Sequence, residues 1–475
     1  MKTAIIPVNL LIDLKHKLEL HNTKGSYPLK LDYCVYFIGL IIRLPTLNRD
    51  DDFKDYSANL CSRKLQKIHN RYNNYVRFLT KEKFIIRIKN YGTHSKKCIA
   101  YKLNDSYFYD ETIQHRFTDK GLLLKITSQE RDHRRKKKVQ FALSKRAHLI
   151  RYFNDLLEMD TESASEAITA HLRRNQIKYI SASQLILEWG EKAWHYSVSS
   201  ETDYRLHTLL TRTNRELRKH IRYDGEVLAA LDIKTSQPYF LCAILKGVMK
   251  KDLKYLSKIG VTKVLGIKLT RKLLRLDLDV SNLRHFVNFV LQGDIYQNLA
   301  SVIPTEKDHE GYFRMVWPKD VYGRPKVKKH FNSKRDLVKE VLLVFFNAGQ
   351  QYKETAIVAL RKEFPEISRL FSFIIDEGLK VSRLVSYVEA HCLLDEVART
   401  LHRRNVDMPI FSLHDALITS RPFARKLQKQ AAESLYELTG LEPKLELEYW
   451  GRTLQNLNKR NMLRQYSNYS RRYLE

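Results

Sequence analysis

The chain has 475 residues, 43% of them hydrophobic, with 84 lysines and arginines against 53 acidic residues, a formal charge of +31. Length and apolar content suit a folded protein of two or three domains and exclude a disordered tail. No apolar stretch is as long as a membrane span, and the opening MKTAIIPVNLLIDLKHKLEL has charge within its apolar part and no small-residue cleavage site, which speaks against a secretory signal.

The positive excess is spread along the chain, so the expected partner is a polyanion. Without a basic amphipathic helix bearing a Trp/Leu face, nucleic acid is favoured over an anionic membrane. The five cysteines, Cys34, Cys61, Cys98, Cys242 and Cys392, include no CxxC pair. This argues for a reducing compartment and against a zinc ribbon.

In chain order, residues 33–43 form an apolar segment, followed by an acidic loop around Asp50–Asp52. From Leu60 to Thr80 the apolar positions Leu60, Leu65, Ile68, Tyr72, Val76 and Leu79 recur at helical spacing. Two β-like runs follow, Phe84–Tyr91 and Cys98–Leu103, joined by the turn-rich Gly92–Lys97. Helices followed by a basic hairpin match a winged helix; a helix–hairpin packing module without DNA contact is the alternative.

The run SQERDHRRKKKVQ, Ser128 to Gln140, is the expected domain boundary. It reads as a solvated basic linker, or as one that grips a phosphate backbone through Arg134, Arg135 and Lys136. Helical patterns resume at Ser144–Leu157. EMDTE at 158–162 is similar to the DxE that opens a proofreading exonuclease, but it precedes an Ala/Glu-rich helix, so Asp160 or Thr161 is expected to be a helix N-cap. Too few residues follow it, before the first catalytic window, to hold an exonuclease fold.

Three windows carry chemistry. In GEVLAALDIKTSQPYFLCAIL, Gly225–Leu245, the apolar run Val227–Ile233 suits a buried strand with Asp232 near its end. Ser236 and Pro238 then open a helix, with Ser236 better placed than Asp232 to cap it. A strand aspartate in apolar company is costly unless something neutralises it, and a metal ion would. In PIFSLHDALITS, Pro409–Ser420, alternating apolar residues flank His414 and Asp415, as in a hairpin with an acid at its tip. Two such aspartates in one basic chain suit Mg²⁺. Between them, KRDLVKEVLLVFFNAGQ places Arg335 and Lys339 one helical turn apart, with Leu342, Leu343 and Phe346 continuing roughly that face. The cations would hold a triphosphate and the apolar residues a base.

In order, these windows resemble motifs A, B and C of the family A DNA polymerases and the single-subunit phage RNA polymerases. DIKTSQ, Asp232 to Gln237, is similar to motif A; Arg335 and Lys339 to the RxxxK of motif B; His414 and Asp415 to the HD of motif C. YRLHT, Tyr204–Thr208, resembles a segment before motif A, which implies duplex contacts by Arg205 and His207. GDIYQNLA, Gly293–Ala300, resembles a DIHxxTA segment, which implies Tyr296 near the triphosphate. SYVEAHCLLDEV, Ser386–Val397, looks like the helix before motif C, with Glu389 inward. The resemblance covers about Tyr204–Gly451.

Asn347 stands where the family has an aromatic residue eight positions after the motif B lysine, and Leu343 where it has one four positions after. Phe346 substitutes only if the helix turns slightly. Ala416 replaces the acid that often follows HD, and the spacing from B to C is short.

The resemblance implies an α+β fold: a right-hand palm with helical fingers and thumb, preceded by a winged-helix-like domain. The expected domains are 1–127 winged-helix-like, 128–140 basic linker, 141–224 thumb-like, and 225–475 palm and fingers. It implies that Asp232 and Asp415 hold two Mg²⁺ ions and that Arg335 and Lys339 (the latter also catalytic) bind the triphosphate. Gln237, Phe346, Tyr296 and Asn347 would shape the nucleotide pocket, and His414 would meet the nucleic acid. The expected function is primer extension by a DNA-dependent DNA polymerase of a phage or mobile element, in the cytoplasm, with DNA primer–template or an RNA/DNA hybrid and nucleoside triphosphates as partners and no membrane. Gln237 tilts the sugar towards dNTPs. Synthesis of RNA, and a non-catalytic winged-helix initiator, stay open as alternatives.

Overall fold

A computed structural model of the protein describes residues 2–24, 27–46, 57–89, 98–107, 111–169, 176–199, 202–307, 311–315, 329–346 and 354–451. The Asp50–Asp52 loop, the Gly92–Lys97 turn and Asn347 lie outside them. The chain is a mixed α+β protein of two units. The first comprises Met1–Ser197, His207–Leu228 and Tyr449–Glu475; the second comprises Val198–Leu206 and Ala229–Glu448. Among the described residues no helix is long and apolar enough to cross a membrane.

The first unit opens with β1 (Thr3–Pro7), α1 (Val8–Thr23) and α2 (Leu31–Thr46). It continues through β2 (Ser57–Leu60), α3 (Ser62–Ile68), α4 (Tyr72–Lys81), β3 (Ile85–Lys89), β4 (Ile99–Leu103) and β5 (Thr112–Arg116). A helix that is apolar all round must lie inside the core, and α2 does: Cys34, Val35, Phe37, Ile38, Ile41 and Ile42 are all buried. Antiparallel pairs form between β1 and β5 and in a sheet of order β2–β4–β3. At the start of α2 the buried Asp32 carboxylate accepts the Thr118 and Asp119 backbone N–H groups at 2.6 and 2.7 Å. The helical pattern of Leu60–Thr80 is two helices, because His69 is extended and breaks it.

The basic run from Ser128 to Gln140 is helical, within α5 (Lys120–Arg134) and α6 (Lys137–Lys145). Asp119 caps α5 by accepting the Leu122 N–H at 2.8 Å, and lysine and arginine are good helix formers once a helix has started. Arg134, Arg135 and Lys136 sit exposed at the junction. Beyond α6 the chain makes one helical turn, Ala147–Ile150, and then bends into β6 (Leu157–Met159), so no helix runs from Ser144 to Leu157. Asp160 caps the next helix through the Ser163 N–H at 3.1 Å, although a strand precedes it where the sequence indicates none. The two-residue strands β7 (Ser197–Val198) and β8 (Leu206–His207) follow, then β9 (Ile221–Tyr223), which pairs with β6.

The second unit is built on β10 (Glu226–Ile233), whose first residues pair with β9 within the first unit. Further along, β10 lies between β15 (Ala416–Ser420) and β16 (Leu445–Tyr449), with β14 (Phe411–Leu413) beyond β15. A separate small sheet joins β11 (Glu306–Lys307), β12 (Phe313–Met315) and β13 (Lys329–Phe331). The helix Ser236–Met249 is buried almost throughout and packs against Val280–Leu291 and Val381–Ala390.

One close approach in this unit requires glycine. Gly260 has φ +91°, and a Cβ there would stand 2.7 Å from the His391 ring. The Gly260→Ala variant is expected to lose about 1–3 kcal/mol of stability, read from the urea midpoint.

Candidate active site

Val227–Leu231 in β10 is buried on both faces, and Asp232 is the first side chain of the strand's far end to reach solvent. The chain then turns sharply: Thr235 adopts φ +56° immediately before the helix Ser236–Met249. A β-branched residue in the left-handed region is strained, and such strain persists only where the surroundings hold it. On the neighbouring hairpin, Leu413 pairs with Ala416, so His414 and Asp415 are the whole two-residue turn. His414 carries the positive φ, +56°, that this turn requires at its first central residue. β10 and β15 are adjacent, and the Asp415 charge is felt at Asp232, so the two aspartates lie near one another.

They feel each other. Although Asp232 reaches solvent, the walls around it remove enough water to push its carboxyl up to about 6, and the Asp415 charge adds to the shift, with smaller contributions from Glu446 and Glu448 on β16. Mutual repulsion of this kind is what a hard divalent cation relieves. Asp232 and Asp415 therefore fit as carboxylate ligands. Among the described residues no group of three or more candidate metal ligands is assembled, so the pair would leave other coordination positions to water and substrate oxygens.

Beneath them lies a buried network. Glu389, in the helix Val381–Ala390, is 0% exposed. Its Oε1 accepts the Arg205 Nε–H at 2.9 Å and also an Nη2–H of Arg205; its Oε2 accepts the Ser236 hydroxyl at 2.7 Å. Burial pushes the Glu389 carboxyl up to about 7, whereas Arg205 and Ser236 pull it down; the Asp415 charge also raises it. The Arg205 guanidinium is raised as well: burial lowers it, but Glu389 and Asp415 outweigh burial and favour the protonated form. Both carboxylate oxygens of Glu389 accept donors, one of them from the guanidinium, so the pair is ionic. Ser236 thus serves Glu389 and not the helix cap expected of it, because an acceptor buried without donors costs more than an uncapped helix end. Arg205, expected on the duplex, points at this network. His207 belongs to the first unit.

The cationic helix, Lys334–Phe345, is capped by the Ser333 hydroxyl accepting the Asp336 N–H at 3.1 Å. Arg335 pairs with Asp294, and its guanidinium lies 4.7 Å from the Tyr296 ring centroid. Asp294 also caps the helix Ile295–Val302 by accepting the Tyr296 N–H at 2.9 Å. Burial raises the Tyr296 hydroxyl's pKa, Arg335 lowers it, and Asp294, Asp415 and Asp232 raise it. Tyr296 therefore lies within electrostatic reach of both aspartates. Lys339 is exposed one turn beyond Arg335, and Gln237 donates to the Ser386 hydroxyl at 3.5 Å.

Phe346 does not offer a platform. It is 1% exposed and meets Phe371 edge-on, ring centroids 5.7 Å apart, so a base could stack on it only if the helix end turned. Leu343, by contrast, is exposed. Two residues were missed from sequence: Asp294, legible only as the acid before a helix start, and Tyr387, which stacks on Tyr204 with centroids 4.2 Å apart. Tyr204 is itself at φ +59°. The helix bearing Glu389 then widens into a π-helix at His391–Val397, a local form that recurs beside functional sites.

Arg205→Ala is expected to cost about 3–5 kcal/mol in chemical denaturation, since it strands a buried carboxylate. Asp232 is ionised less readily folded than unfolded, so its contribution is full at acid pH and lost as pH rises from about 4 through about 6. Without divalent cations, Asp232→Asn should melt above the parent protein at pH 8 and level with it at pH 3. Asp415→Asn should return the Asp232 carboxyl towards its ordinary range in a ¹³C titration.

No family model matches the chain, and no curated protein matches it. Among solved structures, the polymerase domain of Pol1 from M. smegmatis, in complex with DNA primer-template and dNTP, aligns with 62% of this chain and 55% of its own at 12% identity and a TM-score of 0.23. This chain thus spans about half the length of that structure. A TM-score of that size is not a shared fold, and the functional reading rests on the site's own residues.

Proposed function

We propose that the protein is a template-directed nucleotidyltransferase whose reacting centre lies between Asp232 and Asp415. The observation that carries this reading is the pairing of two carboxylates on adjacent strands, with Tyr296 in electrostatic reach of both and Arg335 stacked over its ring. A chain with a formal charge of +31 that nevertheless concentrates acid at one point is suited to cations and polyphosphate together.

Asp232 and Asp415 would hold divalent cations, which when bound lower the pKa of an attacking hydroxyl and offset charge on a departing pyrophosphate. The remaining work is positioning and charge compensation by the chain itself. Lys339 is exposed and cationic, suited to a triphosphate oxygen. Arg335 is held by Asp294 and stacked over Tyr296, and would exchange that carboxylate for phosphate oxygens. Gln237, steadied by Ser386, would border the sugar, which favours dNTPs and hence a DNA polymerase. Arg205 acts from below, by fixing Glu389 and with it the helix packed against Ser236–Met249.

We also read the first unit's opening as a winged helix. The order α2, β2, α3, α4, β3, β4 with sheet order β2–β4–β3 supports it. The exposed Arg134, Arg135 and Lys136 would add sequence-independent phosphate contacts, weakened by salt.

Primer extension with Mg²⁺ tests the assignment. Asp232→Asn and Asp415→Asn should each lower nucleotide incorporation by about 10²–10³-fold or more, with duplex binding retained. Lys339→Ala should chiefly raise the apparent KM for the nucleotide. Full incorporation by either aspartate variant would remove the basis of the reading; preference for NTPs would move it to RNA synthesis.

A further inference from the structure

The five cysteines fall into two groups. Cys34, Cys242 and Cys392 are 0% exposed, and burial pushes each of these thiols up. Cys61 and Cys98 are half-exposed and meet. The antiparallel register of β2 and β4 pairs Ser57 with Lys102, Ala58 with Tyr101, Asn59 with Ala100 and Leu60 with Ile99. One step further along the same register sets Cys61 directly opposite Cys98. Residues opposed in an antiparallel pair have Cα atoms about 4.5–5.5 Å apart, inside the span of about 4.4–6.8 Å that a disulfide bridges. Sequence spacing gives no hint of this, since 36 residues intervene.

We propose that Cys61 and Cys98 form a redox-active dithiol that closes to a disulfide across the β2–β4 ladder. Their surroundings suit exchange. The thiols are in hydrogen-bond contact, and the Lys64 backbone N–H, followed by the Cys98 thiol and the Arg63 N–H, holds Cys61 below its ordinary value, with the Lys64 charge assisting. Burial and the neighbouring Cys61 hold Cys98 above its own. Cys61 is therefore the attacking thiol and Cys98 the resolving one.

With a low-molecular-weight disulfide as oxidant, the Cys61 thiolate attacks one sulfur and expels the other as a thiolate. The Cys98 thiolate then attacks the Cys61 sulfur of the mixed disulfide and expels the second. Two electrons pass to the oxidant and two protons are released from the protein thiols. The bond would tie the start of α3 to β4 and shorten the unfolded chain's freedom across the loop between them.

The test uses the full chain, equilibrated in buffers of oxidised and reduced glutathione, then alkylated, unfolded and mapped by mass spectrometry. The expected result is protection of two of the five thiols in one cross-linked Cys61–Cys98 peptide pair, reversed by reduction, with the oxidised protein melting several degrees higher. Cys98→Ser should halt at a glutathione adduct on Cys61, and Cys61→Ser should abolish the rise in melting temperature. Five alkylated thiols throughout, adducts on both cysteines without a cross-link, or a bridge to Cys34, Cys242 or Cys392 would each overturn the proposal.

Discussion

A carboxylate with no solvent contact must be answered by the protein, and Glu389 is the point on which the second unit turns. Its donors come from two places distant in sequence: Arg205, from the short segment before β10, and Ser236, from the exit of β10. Isolated in apolar surroundings, the charge would cost several kcal/mol or would be neutralised by a proton. Meeting that demand fixes where β10 ends relative to the helix Val381–Ala390, and so fixes where Asp232 emerges. The aspartate pair is thus set from below by the Arg205–Glu389 ion pair.

The same neighbourhood breaks local rules. Tyr204, Thr235 and His414 all hold left-handed backbone angles, and the Glu389 helix loosens into a π-helix at its next residue but one. Thr235 and His414 lie within three residues of Asp232 and next to Asp415 respectively. Strain gathered around two carboxylates that repel one another is what a preorganised charged site costs, and the rest of the fold must supply it.

Much of this was legible in the sequence. The apolar run before Asp232, the HD pair between alternating hydrophobic residues and the Arg335–Lys339 spacing all report local geometry, and local geometry is what residue patterns encode. The illegible parts depend on partners far away in the chain. Ser236 has the residue type and place of a cap, and only Glu389, 153 residues on, diverts it. Phe346 lies on the expected face by helical count, but Phe371 claims it for the interior. The run of basic residues from Ser128 to Gln140 has the composition of a linker, yet the helix capped at Asp119 carries it to Arg134 and a second helix resumes at Lys137. Cys61 and Cys98 are opposed only through a strand register.

The chain leaves the first unit after Leu228 and comes back to it at Tyr449. The return has its own contacts: the Trp450 N–H donates to the Leu228 carbonyl at 2.9 Å, and the Arg218 guanidinium lies 5.7 Å from the Trp450 ring centroid. During vectorial synthesis, Leu228 waits for that partner until roughly 220 further residues have been added, on the order of 10–40 s at about 5–20 residues per second. The second unit waits almost as long, since its last strand, β16, ends only at Tyr449. The two units therefore close at the same stage, once the stretch Leu445–Trp450 has been made, although the first begins long before the second.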